Sequence, residues 1–147
     1  MKPGLRARER CATALRLAFY AGACVVLSGA KRLVPLPVLA RAMWRDPRGP
    51  RDPRREARDV AAVLTATRWL GMRGRGCFQR SLLLYRLLSR SGANPRLVIG
   101  FRRQGNGVEG HAWVKVDGRP IGDLDAGAAA FTPLASFGRN GDRCPPG

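Results

Sequence analysis

Cysteine, histidine and aspartate occur in that order at Cys77, His111 and Asp123. These are the parts of a nucleophilic acyl-transfer site. A thiolate attacks a carbonyl, an imidazole takes and returns the proton, and a carboxylate holds the imidazole in the useful tautomer. The chain has a single histidine, so any acid–base work by an imidazole falls to His111.

Two elements must bring these groups together. Gly71, Gly74 and Gly76 form a flexible approach that cannot itself make a good helix. Beyond it, the spacing predicts a helix over 77–91. Cys77, Ser81, Leu84 and Leu88 share one face, with Leu83 and Leu87 beside them, and Gly92 supplies the stop. Cys77 then sits in the first turn, where free N–H groups and the helix dipole favour the thiolate. The same residue also reads as a buried structural cysteine, since free cysteines are among the most buried side chains.

The second element is a hairpin. Residues 111–116 alternate as a strand, with His111, Trp113 and Lys115 on one face and Ala112, Val114 and Val116 on the other. Trp113 can shield the imidazole or pack in the core. A two-residue Asp117-Gly118 turn would pair Val116 with Arg119 and point Asp123 to the opposite face. A three-residue Val116-Asp117-Gly118 loop with a G1 bulge would set His111 directly across from Asp123. Cross-strand Cβ atoms are then about 4.5–5.5 Å apart, so the bulged loop is the expectation and Asp123 the preferred acid.

Several runs carry a resemblance: Cys77-Phe78-Gln79-Arg80-Ser81-Leu82-Leu83-Leu84, Leu87-Leu88, Gly92, Arg96-Leu97-Val98-Ile99-Gly100 and His111-Ala112-Trp113-Val114. They resemble the transglutaminase-like peptidase of lasso-peptide biosynthesis, in its short stand-alone form, over about residues 60–123. Gly110 stands where that family more often has Ala, and Phe78 where Leu is common. The resemblance implies an α+β fold with a transglutaminase-like (papain-like) core and the nucleophile at a helix N-terminus. It implies a cysteine peptidase that cuts the leader from a ribosomally made precursor, with Cys77 as nucleophile, His111 as base and Asp123 as orienting acid. It also implies a separate leader-recognition protein and an ATP-using, asparagine-synthetase-like cyclase as partners. Two other readings of the same residues are an acyl transferase that passes the group to an amine and a non-catalytic basic scaffold subunit.

Composition limits the alternatives. A chain of 147 residues, 45% apolar and 25% charged, suits one globular domain. Its net charge of +17 is unusual, and the only lysines are Lys2, Lys31 and Lys115, so the excess is arginine. The arginines are scattered and lack the aromatic interleaving of a single-strand platform, so nucleic acid is not an expected partner. A basic surface that attracts an acidic leader or partner is the simpler reading. Cys11, Cys24, Cys77 and Cys144 form no CxxC pair, and one histidine cannot complete the usual mixed zinc sets. Neither metal nor cofactor is expected, and the cysteines read as reduced thiols of a cytoplasmic protein.

The expected organisation is a single domain over 1–147. Residues 1–54 form a helical part and a connector, 55–126 the catalytic core, and 127–147 a tail. A helix is predicted over 12–33; its uncharged centre, 17–30, is short of the about 18 to 20 residues needed to span a bilayer. It reads as a core or partner-facing helix, with membrane contact at most peripheral. Pro35 and Pro37 end it, a short helix follows over 38–44, and the Pro- and Arg-rich run 46–54 reads as a flexible connector. A helix over 55–70 carries Trp69 as an anchor against the Cys77 helix. A strand over 97–101 and a glycine-containing turn over 104–110 lead to His111, and residues 138–147 are expected to be disordered.

Overall fold

Capping explains where each helix begins and ends. The computed structural model describes residues 3–72, 76–122 and 127–146. Helix α1 spans Pro3–Leu33, and α2, Leu36–Met43, starts directly after Pro35 with Pro37 in its first turn, where a missing N–H costs nothing. Helix α3 spans Pro53–Trp69. Asp52 caps it by accepting from the N–H groups of Arg54 at 3.1 Å and Arg55 at 3.2 Å, so the helix reaches back into the expected connector. Helix α4 spans Cys77–Arg90. Its end is a Schellman motif: Gly92, at φ 87°, donates to Ser89, and the Ala93 N–H reaches the Leu88 carbonyl.

The rest of the connector is tied down rather than loose. The Arg51 guanidinium grips the nearly buried Glu56 at 2.9 and 3.1 Å and reaches Asp117 at 2.7 Å. The Arg45 N–H donates to the Ser89 hydroxyl, and the Arg48 N–H to the Arg90 carbonyl. These bonds hold the segment against the C-terminal end of α4.

Strands β1 (Arg96–Gln104), β2 (Gly107–Val116), β3 (Arg119–Ile121), β4 (Thr132–Phe137) and β5 (Arg143–Cys144) form an antiparallel sheet in the order β3-β2-β1-β4-β5. The α+β expectation stands. The β1–β2 hairpin is tighter than the sequence suggests: Gln104 pairs with Gly107 across Gly105 and Asn106. Gly105, at φ 57°, occupies the first loop position, where a type II′ turn puts its glycine.

Helix α4 lies on one face of the sheet. Leu82, Leu84 and Leu88 share the core there with Leu97, Val114, Val116 and Phe137. Helices α1 and α3 cover α4 in turn, through Leu17, Tyr20, Cys24 and Leu27 of α1 and Val63 and Ala66 of α3. The other face of the sheet carries a smaller cluster of Val98, Trp113 and Phe131.

Two expectations fail here. Trp69 is no anchor; it is 77% exposed. It lies two residues past the buried Thr67, about 200° round the helix, and so faces away from the core. The tail is not disordered through its described part, because β4 pairs with β1 and β5 with β4. The Tyr85 hydroxyl, fully buried, donates to the Gly138 carbonyl and accepts from the Gly141 N–H, which fastens residues 138–141 to α4.

One feature of α1 is unusual for a surface helix. Its inner face is committed to the core, yet Leu15, Phe19, Val25, Val26 and Leu33 are exposed on the outside. Among the described residues, its segment Thr13–Ala30 alone has the length and composition to cross a membrane.

Candidate active site

Cys77 is the first residue of α4, as its position behind the glycines predicts. Gly76 precedes it at the N-cap, and a Cβ there would stand 2.7 Å from the Cβ of Met72. Only glycine lets the chain pass so close to Met72 as it enters the helix. No acidic residue occupies the first turn, so the partial positive charge of the helix start is left to the thiol. Cys77 is half-buried, which removes part of its hydration.

The sulfur meets β2 at two neighbouring residues, His111 and Ala112. Because β3 pairs only with Val114, Lys115 and Val116, the strand upstream has no neighbour on that side among the described residues. The N–H and C=O of one strand residue point to the same side, and at Ala112 they point toward α4. The Ser81 hydroxyl, one turn on from Cys77, donates to the Ala112 carbonyl at 2.8 Å. The Ala112 backbone and the His111 side chain both act on the Cys77 sulfur and favour its thiolate.

These effects decide the state of the thiol. Burial pushes its pKa up, but His111 and the Ala112 backbone, with the nearby charges of His111 and Arg80, outweigh it and leave the pKa below the ordinary cysteine value. Arg80 is itself buried within α4. The site therefore favours the nucleophilic form of the sulfur.

Aromatic rings hold the imidazole. His111 stacks on Trp113, centroids 5.8 Å apart, and on Phe131 at 4.7 Å. The guanidinium of Arg102 covers Phe131 at 4.7 Å. The shielding role expected for Trp113 therefore coexists with core packing, since Trp113 is buried against Val98. Gly100, opposite His111 in the β1–β2 register, makes room for this: a Cβ there would come within 2.7 Å of both the Trp113 ring and the Thr132 carbonyl oxygen.

The bulged hairpin is overturned. Val116 pairs with Arg119, Lys115 with Pro120 and Val114 with Ile121. Asp117 at φ 52° and Gly118 at φ 77° form a two-residue loop with both positions left-handed, as a type I′ turn requires. The ladder that would have set His111 across from Asp123 does not exist. It also stops at Ile121, and Gly122, at φ 68°, turns the chain against Leu84. Asp123 itself lies outside the described residues. Among the described residues, no three His, Cys, Asp or Glu side chains gather to hold a metal ion.

Sequence reasoning thus brought Cys77 and His111 into one site but missed three residues that shape it. Ser81 was visible only as a residue on the face of Cys77. Gly100 was read only as an interior residue of the strand over 97–101. Phe131 stood alone in an unpatterned segment, and nothing local ties it to His111.

A family model described as the transglutaminase-like superfamily matches residues 21–136, most of the chain. Neither the curated proteins nor the solved structures contain a match to this sequence. A thiolate-favouring cysteine beside an imidazole is compatible with either a cysteine peptidase or an acyl transferase.

Proposed function

The chain belongs to the transglutaminase-like superfamily, and on that premise we propose that it is a cysteine peptidase that cuts the leader from a ribosomally made lasso-peptide precursor. The observation that carries the chemistry is the placement of Cys77 at the start of α4, beside the His111 imidazole, which favours its thiolate. The motifs of α4 and β2 support the choice of substrate.

The position of Cys77 and His111 supports the following steps. The Cys77 thiolate adds to the carbonyl carbon at the leader–core junction. The developing oxyanion meets the N–H groups at the start of α4, the backbone N–H of Cys77 being the nearest candidate. The C–N bond breaks as the imidazolium of His111 gives its proton to the leaving amine, and a thioester remains. His111 then takes a proton from water, the hydroxide adds to the thioester, and the thiolate leaves with the carboxylate product formed. Asp123 is assigned to orient the imidazole; its exchange for Asn should lower the rate sharply by setting the wrong tautomer while the fold persists.

A separate leader-recognition protein delivers the precursor, and an asparagine-synthetase-like cyclase consumes the freed core, all in the cytoplasm. The strongly basic chain favours an acidic leader, so capture should weaken as ionic strength rises. The direct test incubates precursor and recognition protein with wild type, Cys77→Ala or His111→Ala and reads products by mass. Free leader from wild type and none from either variant is expected. Undiminished cleavage by either variant refutes the mechanism, and an amide-linked product in place of free leader assigns the transferase reaction instead.

A further inference from the structure

We propose that an extended peptide substrate adds to the sheet as a strand along the open edge of β2 at Val108–Gly110, which carries its scissile carbonyl to Cys77. This rests on the peptidase reading and names how that site takes hold of its substrate: by main chain, in extended form.

The edge is a consequence of unequal strand lengths. β2 runs over Gly107–Val116, whereas β3 covers only its last three residues. Ala112 shows which peptide groups face the uncovered side, because its carbonyl accepts from Ser81 and its backbone acts on the Cys77 sulfur. Strand geometry repeats every two residues, so the N–H and C=O of Gly110 and Val108 face the same way. The β1 ladder uses the alternate groups, which leaves these four without a strand partner among the described residues.

No described residue covers the surface there. Val108 is 72% exposed, Gly110 is exposed, and nothing lies within 4 Å of where a Cβ on Gly110 would be. Exposed strand edges are ordinarily blunted by proline, an inward charge or a covering loop. At this one, proline is missing and a glycine stands beside the catalytic histidine. Gly110 and Val108 lie about 7 and 14 Å along the strand from Ala112. They would therefore pair with substrate residues two and four positions from the scissile bond, all on one side of it. Recognition of this kind reads the backbone and tolerates varied side chains at the paired positions.

The test is an ester scan. A short synthetic peptide spanning the bond that the enzyme cuts is made with each amide in turn replaced by an ester, which removes one N–H. Strand addition predicts kcat/KM losses of about three- to tenfold at every second position on one side of the bond and none between. A flat scan, or losses without the two-residue period, overturns the proposal. In parallel, Gly110→Pro deletes an N–H that the ladder does not use. It should lower kcat/KM about tenfold while iodoacetamide alkylation of Cys77 keeps its rate and pH midpoint. Cleavage by Gly110→Pro at the wild-type rate also overturns it; if alkylation shifts too, the ester scan alone decides. Failure of the wild type to cut any amide refutes the peptidase reading and takes this inference with it, whereas normal cutting with a flat scan refutes strand addition alone.

Discussion

Ser81→Ala should raise the pKa of the Cys77 thiol without touching the sulfur. The hydroxyl holds the Ala112 carbonyl at 2.8 Å, and both residues are buried. Removing it leaves that carbonyl unsatisfied, at a cost of about 1–3 kcal/mol in stability. The consequence for chemistry comes through the other half of the same residue, since the Ala112 backbone also acts on the Cys77 sulfur. A hydrogen bond to a charged group contributes about 1.5–3 kcal/mol, and one pKa unit corresponds to about 1.4 kcal/mol. Losing half of such a bond through misalignment shifts the alkylation midpoint upward by about half to one unit. The assay is the pH profile of iodoacetamide alkylation in a background carrying Cys11→Ser and Cys144→Ser; Cys24 is buried, and burial pushes its thiol up. His111→Ala, which removes the larger stabilising contact, should shift the midpoint further. If Ser81→Ala destabilises the fold yet leaves the Cys77 midpoint within about 0.2 unit, the coupling through Ala112 is refuted and Ser81 serves packing alone.

Tyr85→Phe should cost about 2–4 kcal/mol in urea unfolding, because it strands the buried carbonyl of Gly138 and N–H of Gly141. Burial pushes the Tyr85 pKa up to about 12. A raised acid pKa means the neutral form is favoured in the fold, so this stabilisation is full below about pH 10 and is lost as pH rises to about 12. Melting followed across that window should show a decline in wild type that Tyr85→Phe lacks; parallel curves would contradict it. Gly100→Ala forces a methyl against the Thr132 carbonyl oxygen and the Trp113 ring. It should lower stability by about 1–3 kcal/mol and, by shifting the ring on which His111 stacks, raise the Cys77 alkylation midpoint. An unchanged Tm would show that the strand relaxes there.

What was legible in the sequence was whatever local rules decide. Helix α4 announces itself by its apolar spacing, the glycines ahead of Cys77 and the stop at Gly92, and each proved to have its structural counterpart in cap, close approach and Schellman turn. The hairpin loop shows a local rule overruling a functional wish. Asp117-Gly118 suits a type I′ turn, whose twist matches that of the strands, and it formed one although the bulge offered His111 a neater partner. Asp52 and Pro53 looked like linker residues and are a helix cap and its first position. Tertiary pairing was hidden. Thr132–Phe137 has no strand-like alternation and contains Pro133, yet it pairs with β1 at a point where the register shifts. Trp69 was misread because its size suggested burial, while its position on the α3 wheel did not. The Ser81–Ala112 bond spans 31 positions of sequence, beyond any periodicity.

The two-residue connection at Gly105 and Asn106 fixes more than a turn. It sets which peptide of β2 faces the sulfur, and strand parity makes that choice binary. Lengthening or shortening this loop by one residue, with the β1 pairing kept, would turn the carbonyl of Ala112 away from Ser81 and carry the imidazole to the opposite surface of the sheet. Insertions of two residues preserve the phase. Natural length variation in this hairpin should therefore come in even steps, and a graft of odd length should yield a folded protein with an isolated thiol.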